Sequence, residues 1–303
     1  MKSPTTIKKL VVLILLLVVP VFAFAAASSK KQEEKELKAQ QEKELKTKNE
    51  AIDFYNQGRQ NYKDGQKDTA ITNFTKAIEL YPDISSDAYY FRGHLYAEMG
   101  KNDEAIADFT KTIEMTPEYK DAYSARGNIY YNKNQYDQAI QDFSKAIEMA
   151  PDNKDFLINR AYAYSGSKQY ELGVADFNKA LALDPQSSTV YIGLGTLYYN
   201  NRKYNEAITN FTKSIEIDPA SAKSYKFRGD AYGQQGDDDK ALADYSKAIE
   251  LDPNDGEPFF SRAMIYYVKE DFQKAWDDAN NAKKLGASVD EEVLAEFKSA
   301  AGK

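Results

Sequence analysis

The chain has 303 residues, of which 29% are charged and 42% hydrophobic, a composition typical of a soluble globular protein. It contains no cysteine, which excludes disulfide bonds and thiolate metal sites. The formal net charge of −7 excludes a strongly basic footprint, so we do not expect nucleic acid as a ligand.

The first 27 residues have the layout of a secretory signal peptide. Three lysines precede an apolar run at residues 10–19, and small residues follow at 25–27. We predict a cleaved leader over residues 1–27, whose loss would change the net charge from −7 to −10. The alternative is an uncleaved membrane anchor, because residues 10–27 approach the minimum length that spans a bilayer. Both interpretations place the remainder of the chain outside the cytoplasm.

Residues 28–50 are almost wholly polar, with Leu37 and Leu45 as the large apolar exceptions. Glutamates such as Glu34 precede lysines by four residues, the favourable order on a helix. We therefore predict a charged helical linker. A coiled coil is the weaker alternative, because two leucines eight residues apart do not form heptads.

From residue 51 the sequence repeats with a period of 34 or 35 residues, a spacing that indicates a stacked array of supersecondary units. Each unit holds two stretches with helical apolar spacing. A proline then ends the second stretch, because proline cannot continue a helix. The prolines that mark the period are Pro82, Pro117, Pro151, Pro185, Pro219 and Pro253.

Large and small residues alternate along both stretches of each unit. In the third unit they are Tyr123, Gly127, Tyr130, Tyr136, Ala139, Phe143, Ala146 and Pro151. This pattern resembles the signature of the tetratricopeptide repeat family. The resemblance implies an all-α fold, an α-solenoid of seven helix-turn-helix repeats over residues 51–287. The predicted repeats are 51–85, 86–119, 120–153, 154–187, 188–221, 222–255 and 256–287.

The last segment, residues 288–303, has apolar side chains on one helical face, among them Val293, Leu294 and Phe297, and acidic residues at its start. Acidic side chains favour the positive end of a helix dipole. We predict a capping helix over the last repeat, as repeat arrays require. A membrane-surface helix is disfavoured because the segment is acidic.

Comparison of the repeats with one another indicates an ion pair within each of five units. Arginine at the seventh position always accompanies aspartate at the twenty-third, and units one and five have neither. The pairs are Arg92–Asp108, Arg126–Asp142, Arg160–Asp176, Arg228–Asp244 and Arg262–Asp278. We predict structural pairs that join the two helices of a unit, rather than arginines that await an anionic ligand.

Unit five is expected to be the least stable part of the array. It has Leu194 and Asn210 in place of the ion pair, and its first helix carries an additional glycine, Gly193. Glycine inside a helix costs about 0.8–1 kcal/mol relative to alanine. We therefore predict that alanine at Gly193 stabilises the array.

The sequence contains no motif that predicts catalysis or a cofactor. His94 is the single histidine, and no nucleophile elbow, phosphate loop, dinucleotide-binding glycine pattern or zinc pattern is present. The three aspartates at 237–239 lack the spaced ligands of a calcium loop. We expect neither enzymatic activity, nor a cofactor, nor a metal site.

The resemblance implies that the first helices line a concave groove that receives a partner. Tyrosines at the fifth and twelfth positions of several repeats are the candidates for this surface: Tyr55, Tyr62, Tyr90, Tyr131, Tyr199 and Tyr267. Tyrosine offers a large contact area at low cost in rotamer entropy. The alternative is that these rings pack between neighbouring helices.

The sequence thus predicts an exported scaffold that binds a protein or peptide partner in the periplasm or outside a bacterial cell. A structural protein that self-associates in the envelope is the alternative. Membrane contact is expected only through an uncleaved N-terminal segment.

Overall fold

The computed structural model describes the backbone of residues 4–303 and the side chains of residues 29–303. The predicted leader, residues 1–27, lies outside the residues whose side chains are described. Among the described residues, none of the helices combines the length and the apolar character that a bilayer span requires.

The regular structure of residues 4–303 consists of fifteen α-helices, and the predicted all-α repeat fold is confirmed. The helices are α1 (Pro4–Lys63), α2 (Lys67–Leu80), α3 (Ser86–Glu98), α4 (Asn102–Met115), α5 (Lys120–Asn132), α6 (Tyr136–Met149), α7 (Lys154–Gly166), α8 (Tyr170–Leu183), α9 (Ser188–Asn200), α10 (Tyr204–Ile217), α11 (Ala222–Gln235), α12 (Asp238–Leu251), α13 (Glu257–Val268), α14 (Phe272–Lys284) and α15 (Glu291–Ala300). The charged segment 28–50 and the first helix of repeat one are parts of α1.

The chain divides into two compact units, which we call the N-terminal unit (Met1–Pro117) and the C-terminal unit (Glu118–Lys303). The N-terminal unit contains α1–α4, and the C-terminal unit contains α5–α15. Within each unit the two helices of a repeat pack on each other, and each repeat packs on the next. This is the arrangement of a helical solenoid.

The turn inside every repeat has a left-handed residue at its fifteenth position. Glycine occupies this position in repeats one, two and six, where φ is 72°, 73° and 77°. Side chains occupy it in the other repeats: Asn134, Lys168, Arg202 and Glu270, with φ between 57° and 62°. A residue other than glycine in this conformation destabilises the fold by roughly 1–2 kcal/mol, but the conformation lets the chain reverse direction between the two helices.

A phenylalanine at the twenty-fourth position forms the centre of the first five repeats. Phe74, Phe109, Phe143, Phe177 and Phe211 are fully buried. A Cβ atom on Gly127 would lie 2.9 Å from the ring of Phe143, so the small residue at the eighth position makes room for this ring. Burial of each phenylalanine stabilises the repeat by about 1.5–3 kcal/mol.

The prediction that alanine at Gly193 would stabilise repeat five is wrong. A Cβ atom there would lie 2.7 Å from the ring of Phe177 and 2.9 Å from the hydroxyl of Tyr162. Both side chains belong to repeat four, so Gly193 allows α9 to approach the preceding repeat closely. The favourable helix propensity of alanine is smaller than the cost of displacing a packed ring.

The predicted capping helix is confirmed. Helix α15 buries Leu294 and Phe297 against a cluster of the last repeat that includes Tyr267 and Trp276. Asp290 caps its N-terminus by accepting a hydrogen bond of 2.7 Å from the Glu292 backbone N–H.

Candidate partner-binding surface

All five arginines at the seventh position lie against the aspartate of their own repeat. The Nε and Nη2 atoms of each guanidinium donate to both carboxylate oxygens over 2.6–2.9 Å. The bidentate pairs are Arg92–Asp108, Arg126–Asp142, Arg160–Asp176, Arg228–Asp244 and Arg262–Asp278. The Nε–Nη2 edge of each guanidinium is therefore already occupied by a carboxylate.

The arginines also link successive repeats. Nη1 of Arg160 donates to the hydroxyl of Ser144 in the preceding repeat over 3.0 Å. The equivalent bonds join Arg92 to Thr75, Arg228 to Thr212 and Arg262 to Ser246, over 2.9–3.1 Å. One side chain thus connects three helices, which is a structural role.

Repeat five replaces the ion pair with a neutral arrangement. Leu194 is buried in the apolar cluster between repeats four and five. Asn210 turns its amide to the backbone and donates to the Glu206 carbonyl over 2.8 Å. The absence of the pair therefore leaves no buried charge unpaired at these two positions.

The family resemblance assigns partner binding to the fifth, ninth and twelfth positions of the first helix of each repeat. In the C-terminal unit these first helices are α5, α7, α9, α11 and α13, and we call the surface at these positions the first-helix surface. Tyr131 and Tyr199 lie on it, half-buried, with edge-to-face contacts to Tyr136 and Tyr204 at centroid distances of 5.7 and 5.6 Å. Burial raises the pKa of both Tyr131 and Tyr199, so their hydroxyls are protonated.

Tyr267 is covered by the capping helix. Its ring stacks on Phe297 with a centroid distance of 4.5 Å and an interplanar angle of 14°, and its hydroxyl donates to Glu296. Tyr267 therefore holds α15 against the last repeat, and we exclude it from the first-helix surface.

The three tyrosines of the N-terminal unit each pack against other aromatic side chains. Tyr55 lies 6.2 Å from the ring of Phe74, and Tyr62 lies 5.1 Å from that of Phe91. Tyr90 contacts the imidazole of His94 edge-to-face at 4.6 Å. These rings contribute to the packing of the N-terminal unit.

Two adjoining cavities lie on the first-helix surface. The larger, of about 370 Å³, lies between repeats five, six and seven, and Asp230, Tyr245, Met264 and Val268 are among its lining residues. The smaller, of about 170 Å³, has Phe211 and Phe227 in its walls. Tyr199 and Asp230 line both cavities.

Asp230 is the carboxylate that lines both cavities. It accepts a hydrogen bond of 2.8 Å from the Tyr245 hydroxyl, and Nζ of Lys226 lies 3.9 Å from its other oxygen. Burial raises the pKa of the Asp230 carboxyl, and Lys226 and Tyr245 oppose this only in part. Burial next to Asp230 also raises the pKa of Tyr245, which keeps its hydroxyl a donor.

This site was not predicted from the sequence, although the sequence contains a signal for it. At the ninth, twelfth and twenty-fourth positions, repeat six alone combines aspartate, glycine and tyrosine: Asp230, Gly233 and Tyr245. Tyr245 replaces the phenylalanine of repeats one to five, Gly233 is the smallest residue at the twelfth position, and the fold brings both to one cavity with Asp230.

The sequence matches models of the tetratricopeptide repeat. The matched residues are 121–153, 188–221 and 222–255 for one such model, and 93–134, 155–187 and 40–83 for three others. No curated protein matches the sequence at a significant level.

Solved structures show the same fold. A tetratricopeptide repeat protein from Parabacteroides merdae ATCC 43184 is 19% identical with a TM-score of 0.69, and the match covers 84% of this chain and 100% of that one. The C-terminal part of a TPR repeat-containing protein from Cytophaga hutchinsonii is 22% identical with a TM-score of 0.61, and the match covers 80% of this chain and 98% of that one.

Proposed function

Because the chain belongs to the tetratricopeptide repeat family, whose fold generally mediates protein–protein interaction, we propose that it is a scaffold that binds a peptide or protein partner on its first-helix surface. The observation that carries the proposal is the pair of cavities between repeats five and seven. Ligand sites are concave and combine apolar walls with a few convergent polar groups. The larger cavity has Met264 and Val268 beside Asp230 and Tyr245, and the smaller one adds the rings of Phe211 and Phe227.

The rim of the larger cavity is apolar and exposed. Met264 and Val268, both on α13, are 43% and 72% exposed. Large exposed apolar side chains beside a cavity are typical of a surface that a partner covers. The half-buried Tyr199 forms the opposite side of the cavity and adds an aromatic contact and a hydroxyl.

Photo-crosslinking in cells of the source organism tests the proposal. We would place a photoreactive amino acid at Met264 and, as a matched control, at Leu183 on the second helix α8, which is 45% exposed. We expect a discrete adduct with another protein from position 264 and none of that mass from position 183. An adduct from position 183 alone would move the partner to another surface, and an adduct with a second copy of the chain would support self-association.

We also propose that the protein is exported, on the basis of the positive start, apolar run and small residues within residues 1–27. The N-terminal peptide of protein recovered from the envelope or the medium tests this by mass spectrometry. A mature start at Ala26 or Ser28 supports a cleaved leader. An intact Met1 on protein from the membrane fraction supports an anchor instead.

A further inference from the structure

We propose that the larger cavity of the first-helix surface is a specificity pocket for a lysine or arginine side chain of an extended partner segment, with Asp230 as the group that receives the cation. This inference rests on the proposed function, because it assumes that the partner lies on the first-helix surface. It adds the chemical class of the partner residue that the surface selects.

The carboxylate of Asp230 is placed to bind a cation. Its side chain is 23% exposed, and it lines both cavities. Tyr245 occupies one carboxylate oxygen at 2.8 Å, whereas the other has Lys226 only at 3.9 Å, which is too long for a hydrogen bond. That second oxygen therefore retains capacity for a charged donor, and a charge-assisted hydrogen bond is stronger than a neutral one.

The surrounding charges favour a cationic guest. Besides Asp230, the cavity is lined by Asp238, and Glu257 lies close enough to disfavour the ionised form of Asp230. Lys226 is the opposing positive charge. Among the residues that line the cavity, the charged side chains are Asp230 and Asp238, and both are carboxylates that a lysine or arginine would neutralise.

The shape of the cavity fits a long side chain with a charged end. Met264, Val268 and the ring of Tyr199 line the cavity together with Asp230. An aliphatic stem can pack against such apolar walls while its charged end reaches the carboxylate. The volume of about 370 Å³ is at the low end of the range for ligand sites, which suits one side chain rather than a large molecule.

The Asp230–Tyr245 pair is not needed to fill the core of repeat six. Five other repeats use phenylalanine at the position of Tyr245, and those rings are fully buried without a hydroxyl of their own. In repeat six, the glycine at position 233 leaves space next to the Tyr245 hydroxyl, whose oxygen lies 3.9 Å from where a Cβ atom would be. A partly buried carboxylate that packing does not need is typical of a binding site.

Retention of peptide pools on immobilised full-length protein tests the inference. The probes are acetylated, amidated octapeptide pools that are random except for one fixed position, which is arginine, lysine, norleucine or glutamate. Four proteins are compared: wild type, D230N, D239N and the double variant Y131A/Y199A. D230N removes the charge but retains an oxygen for Tyr245, and D239N removes the same charge from a side chain that is 88% exposed.

We expect wild type and D239N to retain the arginine and lysine pools about tenfold or more above the norleucine pool, and D230N to lose that preference. Thermal unfolding of D230N should show a melting temperature no lower than that of wild type, which separates lost recognition from lost folding. Equal retention of all pools, reduced by Y131A/Y199A, would overturn the cation pocket and leave the proposed function standing. Equal loss of preference in D230N and D239N would also overturn it, because the effect would then be general electrostatics.

Discussion

The Arg160–Asp176 pair offers the sharpest test of the energetics, because repeat five contains its natural neutral replacement. We would introduce R160L and D176N singly and together, copying Leu194 and Asn210. Only 3% of the Asp176 side chain is exposed, so R160L leaves a buried carboxylate without its cation. Removal of one partner from a buried ion pair costs about 3–5 kcal/mol.

D176N is the milder single change, because the amide oxygen still accepts a hydrogen bond from the guanidinium. It should cost about 1–3 kcal/mol, the range for a lost hydrogen bond to a charged group. The double variant has no buried charge at these positions, and we expect it to be more stable than R160L alone. The coupling energy should therefore exceed the cost of D176N alone, which places it in the upper part of the range of about 0.5–3 kcal/mol for residues in contact.

Urea unfolding followed by circular dichroism measures the four free energies, with similar m-values as the check that the unfolding transition is unchanged. A control cycle pairs R160L with D142N, because Asp142 belongs to the pair of the preceding repeat. Its coupling should be below about 0.5 kcal/mol. Additive costs in the first cycle, or equal coupling in the control, would refute the view that each arginine forms its ion pair with the aspartate of its own repeat.

Three further predictions concern single positions. G193A should destabilise the protein by about 1–3 kcal/mol in urea unfolding, because a methyl group there overlaps the ring of Phe177, and a gain in stability would contradict this. R202G should stabilise it by about 1 kcal/mol, because Arg202 has a φ of 58°, and an unchanged midpoint would show that the turn is not strained. Burial raises the pKa of the Asp230 carboxyl in the folded protein, so the folded state binds this proton more tightly than the unfolded state does. The free energy of unfolding should therefore fall as the pH rises from the pKa of Asp230 in the unfolded state to its higher pKa in the folded state. D230N should remove this fall and be more stable at neutral pH, and an identical pH profile for both proteins would contradict the account.

The sequence was sufficient to predict the fold because seven copies of one unit act as an internal alignment. The recurring prolines delimit the repeats, and the apolar face of residues 288–303 predicts the capping helix. The joint presence or absence of arginine and aspartate indicates which two positions face each other, and in the structure Arg160 and Asp176 are paired within one repeat.

The sequence did not predict the surroundings of residues that pack against a neighbouring repeat. Gly193 was interpreted from its own helix, whereas Phe177 and Tyr162 of repeat four determine what it can accommodate. Tyr267 was grouped with the other tyrosines, although Phe297 of the capping helix covers it. Asp230 lines two cavities whose walls come from repeats five, six and seven, so the pattern of one repeat could not predict these cavities.

The most direct test of the account is the affinity of the partner identified by crosslinking for M264K and for L183K. Both positions are exposed to nearly the same extent, 43% and 45%, so both substitutions should leave the fold intact. Titration calorimetry should show that M264K weakens binding by about tenfold or more, because it removes an apolar contact and places an ammonium group where a cationic partner residue would approach Asp230. L183K should bind like wild type, whereas equal affinities for both variants, or a loss confined to L183K, would contradict the claim that the first-helix surface binds the partner.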